Sequence, residues 1–504
     1  MHEDDKGGKP SIAREIDAFM LSVESLSVSL PFMLMVLKGL SAFEHQRLGK
    51  YLGANCTLKG EEGATQTYQV PAHLVGEVRR IERKSNRYDK STQTVPRSLL
   101  VALVSQFDYF LGRLVRCLYE IRPSLLEASE RSLTLAQLQE LSSIEEAKEY
   151  LIEKDIETLL RKSHVEQFEW LEQKFGIPLR KDLPSWPKFV EVTQRRNLFA
   201  HCNGVVSSQY LIVCKNASVT FEGTPPKLNE SLECTPAYFR EAYACIFEIA
   251  VKLGQVLWRK LAPADVELAD VSIIDVSFEL LVAEQYGLLI RILDFFTLQN
   301  KKFSSELNRR IMVINHAQAH KWSGDNAGAI KILDKEDWSA AAAKFQLCEA
   351  VLRDNFDRAV ELMRQIGKDG EVAKTDYEDW PCFKEFRNSP EFTKAYCEIF
   401  GTEFELKKTE KLTALHLQSE FMDDPELWDL ERLNLPIGVV GERRIIAGGK
   451  ASDAGAATSG GSGDIASKSE SEPSQIATFA EMTRSEASLP QVPANGPAGA
   501  PDVG

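Results

Sequence analysis

Apolar residues recur at helical spacing in two long segments of this chain, and this periodicity restricts the fold more than any other feature. A second segment of this kind opens with Thr235 and Pro236, downstream of the first at residues 99–121. An apolar stripe with a period near 3.6 is typical of a helix that buries one face. The stripes comprise Leu100, Leu103, Phe107, Phe110, Leu114 and Leu118, and then Phe239, Ile246, Ile249, Leu253 and Leu257. We therefore predict a mainly α-helical fold.

A polar motif lies between these two helices. Residues 195–204 have the sequence Arg-Arg-Asn-Leu-Phe-Ala-His-Cys-Asn-Gly. They are predicted to end a helix that starts at Ser185 as N-cap and stops at Asn203 and Gly204. Asn197 and His201 then lie one turn apart on the same face, and the long side chain of Arg196 can reach that face. A fixed cation, an amide and an imidazole at one helix end suit the binding of a phosphodiester.

The pattern Arg196-Asn197-x-x-x-His201, followed by a turn and an apolar segment, resembles the signature of the all-helical HEPN superfamily. The resemblance covers residues 95–262, which we expect to be helical except for a short hairpin at 210–221. That hairpin is predicted from two β-rich runs, 210–213 and 218–221. Many active relatives place another polar residue on the first helix, and Gln106 and Asp108 are both candidates here.

The resemblance implies a metal-independent endoribonuclease. His201 would take the proton from a ribose 2′-hydroxyl or give one to the leaving 5′-oxygen, because an imidazole exchanges protons near neutral pH. Arg196 would stabilise the charge on the phosphorane, and Asn197 would orient the histidine or the phosphate. Because one histidine does not easily act as both base and acid, the resemblance also implies a homodimer with a composite site. No cofactor and no metal are expected.

Further cations precede the first helix. The segment 79–97 is locally basic, and it serves either as a track for RNA phosphates or as a solvated linker face. Arg195 is a candidate second cation beside the motif, or else a solvent-facing helix residue. The tentative RNA-binding set is Arg195, Arg79, Arg80, Arg83, Lys84 and Arg87.

Composition limits the class of protein. The net charge of −14 argues against a constitutive nucleic-acid coat protein, although it leaves room for a local basic surface. The nine cysteines form no Cys-x-x-Cys pair, which favours a reducing compartment. The polar N-terminus does not resemble a secretory signal, and the apolar run 26–37 is too short to span a bilayer. We expect a cytoplasmic protein, with residues 26–37 in a buried helix.

The predicted organisation has six parts. They are an N-terminal helical region (1–75), a basic linker (76–94), the HEPN-like domain (95–262), a helical-repeat-like domain (270–400), a variable connector (401–446) and a disordered tail (447–504) rich in Gly, Ala, Ser and Pro. Residues 278–299 are predicted to be one helix. Residues 319–329 and 350–359 resemble two degenerate tetratricopeptide-like repeats, which would stack as helical hairpins and contact a protein regulator.

The remaining features leave alternatives open. His316 and His320 have the i, i+4 spacing of metal ligands, but no glutamate follows His316 and neighbouring alanines favour helix packing instead. Three hypotheses are compared for the whole chain. The first is an endoribonuclease of the toxin or abortive-infection (antiviral defence) type. The second is a non-catalytic HEPN scaffold that binds RNA or nucleotide, and the third is a purely structural interaction protein.

Overall fold

The computed structural model describes residues 11–62, 65–127, 133–181, 183–221, 223–299, 302–404 and 443–448, and these residues are mainly helical, as predicted. The helices are α1 (Ile12–Asn55), α2 (Val75–Ile121), α3 (Ser124–Glu127), α4 (Leu135–Glu140), α5 (Ile144–Leu160), α6 (His164–Phe175), α7 (Trp186–His201), α8 (Ser208–Asn216), α9 (Pro236–Leu261), α10 (Val266–Val282), α11 (Tyr286–Leu293), α12 (Glu306–Trp322), α13 (Asn326–Leu333), α14 (Ala343–Leu352), α15 (Phe356–Ile366), α16 (Lys374–Asp379) and α17 (Pro390–Phe400). A π-helical turn occupies Asp294–Gln299. Three strands, β1 (Thr57–Glu62), β2 (Thr65–Pro71) and β3 (Arg443–Gly448), form one sheet in which β2 is antiparallel to β1 and parallel to β3.

Helices α1 and α2 form a long antiparallel pair with the sheet at one end. At 44 residues, α1 is about 66 Å long, since an α-helix rises about 1.5 Å per residue. The two helices are joined across their length, from Arg113 Nη2 and Glu15 Oε1 at 2.7 Å to Lys84 and Glu44. Residues 76–94, predicted as a linker, are therefore the first half of a continuous helix. The linker prediction is wrong. It rested on the charges of the segment, whereas the apolar residues Val78 and Ile81 are buried and fix the segment as a helix.

A single continuous core joins the parts that were predicted as separate domains. Buried residues of α1, α2, α7 and α9 belong to the same cluster as those of α10–α12 and α14–α17. Gly254 of α9 shows how closely α1, α2 and α9 pack. A Cβ there would lie 3.2 Å from Ile16 of α1 and 3.4 Å from Phe110 of α2. The N-terminal helix is thus part of the bundle that holds the motif.

Two local predictions are wrong. Residues 210–221 form no hairpin, because residues 208–216 are the helix α8: the Ser207 hydroxyl accepts from Tyr210 N at 3.2 Å, and burial of Tyr210 and Cys214 one turn apart outweighs the β-propensity of the run. Residues 278–299 are not one helix either. The chain turns at Glu284, whose φ is 54°, between α10 and α11.

The region from α10 to α15 contains three helical hairpins with the same turn. In each, a residue with positive φ ends the first helix, and the next residue donates its N–H to a carbonyl five positions back at 2.9 Å, as in a Schellman motif. The turns are those of Glu284 and Gln285, Gly324 and Asp325, and Asp354 and Asn355. The two predicted hairpins at 319–329 and 350–359 are confirmed as hairpins, and a third precedes them.

The apolar run 26–37 is only partly buried. Leu30 and Leu34 lie in the core, but Phe32, Met33 and Val36 are exposed, so the prediction of a buried helix is half wrong. By length and composition alone, α1 and the helical stretch ending at Ile121 could each cross a membrane. The predicted connector and tail lie outside the described residues beyond Phe404, except for β3.

Candidate active site

Helix α7 is anchored by the aromatic residues of its first half. Pro187 occupies the first turn, and the Phe189 ring is buried against Phe107 and Phe168, with centroids 5.1 and 5.5 Å away. Ser185 precedes the helix as predicted, but it does not cap it. Its hydroxyl donates instead to Glu248 Oε1 of α9 at 2.9 Å. The motif is therefore carried on a helix fixed between α2, α6 and α9.

The end of α7 is held by a tight turn. Gly204 N donates to Leu198 O at 3.0 Å, and Asn203 and Gly204 have φ of 49° and 83°, so the predicted stop is confirmed. A Cβ on Gly204 would lie 3.1 Å from Leu232 O. Arg97 of α2 donates to Asn203 O at 3.2 Å and to Leu232 O at 2.9 Å. These contacts fix the position at which His201 leaves the helix.

Arg196 is held by helix α2. Its Nη2 donates to Asp108 Oδ2 at 2.8 Å, so the structure selects Asp108 over Gln106 as the polar partner on α2. The other oxygen of Asp108, Oδ1, is 3.0 Å from Nε2 of the buried His164 at the start of α6. Arg196 Nε is buried and has no acceptor within the described part of the chain. Asp108 thus orients the guanidinium and leaves part of its donor capacity unused.

His201 and Asn197 lie on the open side of α7. The His201 side chain is exposed, and Asn197 is half-buried one turn before it. Over the described ranges, neither side chain forms a hydrogen bond or an ion pair, so no hydrogen bond joins Arg196 to His201. The three motif residues therefore share one helix end, where Arg196 is anchored inward and His201 and Asn197 are available to a ligand.

Arg195 has a different environment from the one predicted. Its Nε donates to Glu191 Oε1 at 2.7 Å, and its guanidinium carbon lies 3.9 Å over the Tyr238 ring. Glu191 also accepts from the Tyr210 hydroxyl at 2.9 Å and from the Tyr238 hydroxyl at 2.7 Å. Burial raises the pKa of both tyrosines, and the Glu191 carboxylate raises it further. Arg195 is neither solvent-facing nor beside His201, and it belongs to a buried cluster behind α7.

The predicted basic residues line the outer half of α2. Arg80 pairs with Glu77 at 2.7 Å, and Lys84 pairs with Glu44. Arg79, Arg83 and Arg87 are exposed at intervals of four residues and have no ion pair with any described residue. They form one stripe, and Arg87 and Arg79 lie about 15 and 27 Å along the helix axis from the level of Arg97. The stripe leads towards the motif but does not contact it.

The sequence interpretation missed two residues of this site. His164 lies 56 positions after Asp108 and had no recognisable partner, although Ser163 and Glu166 around it form a capping box that predicts a helix start. Arg97 was counted among the linker charges. Only its position at the start of the apolar stripe indicated that it belongs to the bundle.

No family model, curated protein or solved structure matches this chain. Its function has to be inferred from its own residues.

Proposed function

We propose that this protein is a metal-independent endoribonuclease of the toxin or abortive-infection type, acting in antiviral defence, with His201, Arg196 and Asn197 as its catalytic residues. One observation carries the proposal: an exposed imidazole, with no hydrogen bond to any described residue, follows an arginine that the partly buried carboxylate of Asp108 orients. A histidine that merely stabilised the helix end would be expected to bond to the terminal carbonyls. Here the Leu198 carbonyl of the last turn accepts from the backbone N–H groups of Cys202 and Gly204, and Arg97 bonds to Asn203 O just beyond the helix. His201 takes part in none of these bonds.

The proposed reaction uses the nucleophile that RNA itself contains. His201 accepts the proton of the 2′-hydroxyl, and the 2′-oxygen attacks the adjacent phosphorus. Arg196 donates its unused N–H groups to the non-bridging oxygens as negative charge builds on them. The bond to the 5′-oxygen breaks and that oxygen takes up a proton. The products are a 2′,3′-cyclic phosphate and a 5′-hydroxyl, and Asn197 orients His201 or the scissile phosphate.

The stripe of Arg79, Arg83 and Arg87 supports RNA as the substrate. Unpaired cations at this spacing on one helix face can follow a phosphate backbone, and their contribution should weaken steeply with salt. Paired Arg80 and Lys84 contribute less to such a track because they are already neutralised by Glu77 and Glu44. Changing all three stripe residues to glutamine should raise KM for RNA and reduce its salt dependence while leaving kcat unchanged.

A second copy of the chain would supply the acid. One imidazole takes the 2′ proton, and a different group has to protonate the 5′-oxygen in the same step. We therefore extend the proposal to a homodimer whose two motifs face a shared cleft. The test mixes wild-type subunits with an excess of His201→Ala subunits and measures cleavage. Activity that falls below the fraction of wild-type subunits, because mixed dimers are inactive, supports a composite site, whereas activity proportional to that fraction despite the formation of mixed dimers opposes it.

The central experiment incubates the purified full chain with RNA in a chelator. Cleavage is expected to be lost in Arg196→Ala and His201→Ala and kept in His73→Ala, an exposed histidine on the short turn at Ala72–Leu74 that serves as a matched control. RNA methylated at each 2′-oxygen should resist. Cleavage that persists in both motif variants, or in methylated RNA, would sink the assignment.

A non-catalytic scaffold that binds RNA or nucleotide is the second candidate. It is favoured by the ion pair of Arg196 with Asp108, which gives the arginine a structural role without any substrate. This second proposal includes a tetratricopeptide-like character for the hairpins of α10–α15. These hairpins would then present a surface to a protein regulator. Wild-type protein that binds RNA but never cuts it, with unchanged affinity in His201→Ala, would favour this candidate.

The proposal places the protein in the cytoplasm. Each of its nine cysteines, all within the described ranges, is free, as expected in a reducing compartment. Unrestrained RNA cleavage there would stop growth. Induced wild type should therefore arrest cells, and His201→Ala should not.

A further inference from the structure

A second group of side chains, far from the motif in sequence, has the composition of a metal site. Asp294, His316 and His320 each place one potential ligand atom within 4.8 Å of the others. The two histidines are one turn apart on α12, with ring centroids 4.9 Å apart. Asp294 begins the π-helical turn that packs against this helix, and such turns occur frequently at functional sites. The sequence showed the two histidines but not the third group.

The hydrogen bonds of His316 determine which of its nitrogens is free. Its Nδ1 is 2.8 Å from Thr297 Oγ1, and that hydroxyl donates its own proton to Leu293 O at 2.8 Å. The hydroxyl therefore accepts from Nδ1–H. With Nδ1 carrying a proton, Nε2 is the ring nitrogen that can bind a ligand. This Nε2 is buried without a hydrogen bond, 3.3 Å from Asp294 Oδ1.

That contact places a buried imidazole nitrogen without a hydrogen bond beside a carboxylate oxygen. Both atoms are ligand types that Zn²⁺ binds. A buried polar atom without a partner is also costly by itself. A bound cation would accept electron pairs from both Asp294 and His316. The arrangement is therefore that of two metal ligands.

His320 is oriented in the same manner. Its Nδ1 is 2.8 Å from Asp325 Oδ2, and the other oxygen of Asp325 accepts from Gly328 N at 2.9 Å. Asp325 therefore accepts from Nδ1–H of His320 as well as from the backbone of Gly328. Nε2 of His320 is left as the free nitrogen. A carboxylate behind a histidine is the arrangement that orients imidazoles towards metals.

We propose that Asp294, His316 and His320 bind a divalent transition-metal ion, with Zn²⁺ the best match. Two imidazole nitrogens and one carboxylate oxygen form a common Zn²⁺ ligand set that leaves a fourth position for water. The Asp294 side chain is 47% exposed, so the ion can enter from solvent. An ion here would tie the π-helical turn to α12. The site is separate from the end of α7, and the nuclease proposal does not depend on it.

The test titrates Zn²⁺, and separately Co²⁺ as a spectroscopic probe, into metal-free full-length protein. We expect one equivalent to bind, visible Co²⁺ absorption bands, and affinity that falls as pH is lowered because protons compete for the imidazoles. Asp294→Asn and His320→Gln should each lose most of the affinity. The Asp294 side chain is 47% exposed and that of His320 is 15% exposed, so Asp294→Asn is the change that disturbs packing less. Asp325→Asn should weaken binding by about 10-fold, because His320 loses the carboxylate that orients its ring.

His201→Ala is the matched control, because it removes an exposed histidine elsewhere and should bind metal as the wild type does. Circular dichroism of each metal-free variant establishes that it is folded. Three results would overturn the proposal: no binding by wild type at millimolar Zn²⁺, unchanged binding in both Asp294→Asn and His320→Gln, or binding lost instead in His201→Ala or on replacing the exposed thiols of Cys202 and Cys397.

Discussion

Replacing Glu191 should destabilise the protein far more than replacing an exposed glutamate that pairs with an arginine at the same i, i+4 spacing. The Glu191 side chain is 3% exposed, and it accepts hydrogen bonds from Arg195, Tyr210 and Tyr238. Glu191→Ala leaves the Arg195 guanidinium, itself only 13% exposed, without its counter-ion. Removing one partner of a buried ion pair costs about 3–5 kcal/mol. Because Arg195 keeps its bond to Glu233 O at 3.2 Å, we expect the lower end of this range.

The assay is urea unfolding of the full chain, followed by circular dichroism. Glu157→Ala is the control, since Glu157 and Arg161 have the same i, i+4 spacing but are 43% and 77% exposed. Solvent screens that pair, so no measurable loss is expected there. The double change Glu191→Leu with Arg195→Leu should recover much of the stability, because it leaves no unpaired charge. Equal midpoints for Glu191→Ala and Glu157→Ala would refute the reasoning.

Three further predictions concern pH, the turn and the site. Burial and the Glu279 carboxylate raise the pKa of Glu24 from 4.5 to about 7, so the folded state holds this proton more tightly than the unfolded chain does. Stability should fall as pH rises through that window, and thermal melts of Glu24→Gln should lose this dependence. Gly204→Ala should destabilise by about 1–2 kcal/mol owing to its positive φ and the contact with Leu232 O, whereas Gly53→Ala, with open space around it, should not; equal melting temperatures would contradict this. Asp108→Asn should reduce kcat for RNA through a misplaced Arg196 while RNA affinity changes little; an unchanged kcat would show that the ion pair does not position the arginine.

The features that were predicted correctly depend on neighbouring residues. The stripe 99–121, the helix after Thr235 and the stop at Gly204 each follow from periodicity or turn chemistry within a few residues. What failed depends on packing between distant segments. Residues 210–213 have strand propensity, yet they are helical because Tyr210 reaches Glu191 from a helix. Residues 76–94 have the charge expected of a linker, yet they form a helix. Helix α1 packs beside them and supplies Glu44 as the ion-pair partner of Lys84.

The candidate site divides in the same way. Arg196, Asn197 and His201 were identifiable because they are adjacent on one helix. The partner of Arg196 is Asp108, 88 positions away, and the sequence left it as one of two candidates. Asp294 was not identifiable as a third ligand because a π-helical turn brings it to His316. Such turns are rare, and no periodic sequence pattern predicts them.

The continuous core makes the motif helix inseparable from the rest of the chain. A fragment cut at residues 95–262 would lose α1, and the apolar faces of α2 and α9 that contact Ile16 and Phe19 would meet water. It would also lose α10 and α11, which pack against α9 as well. A ligand that binds only to the folded hairpins should therefore also stabilise α7 against unfolding. The hairpins and α7 belong to one core, so the binding free energy favours the folded state of both.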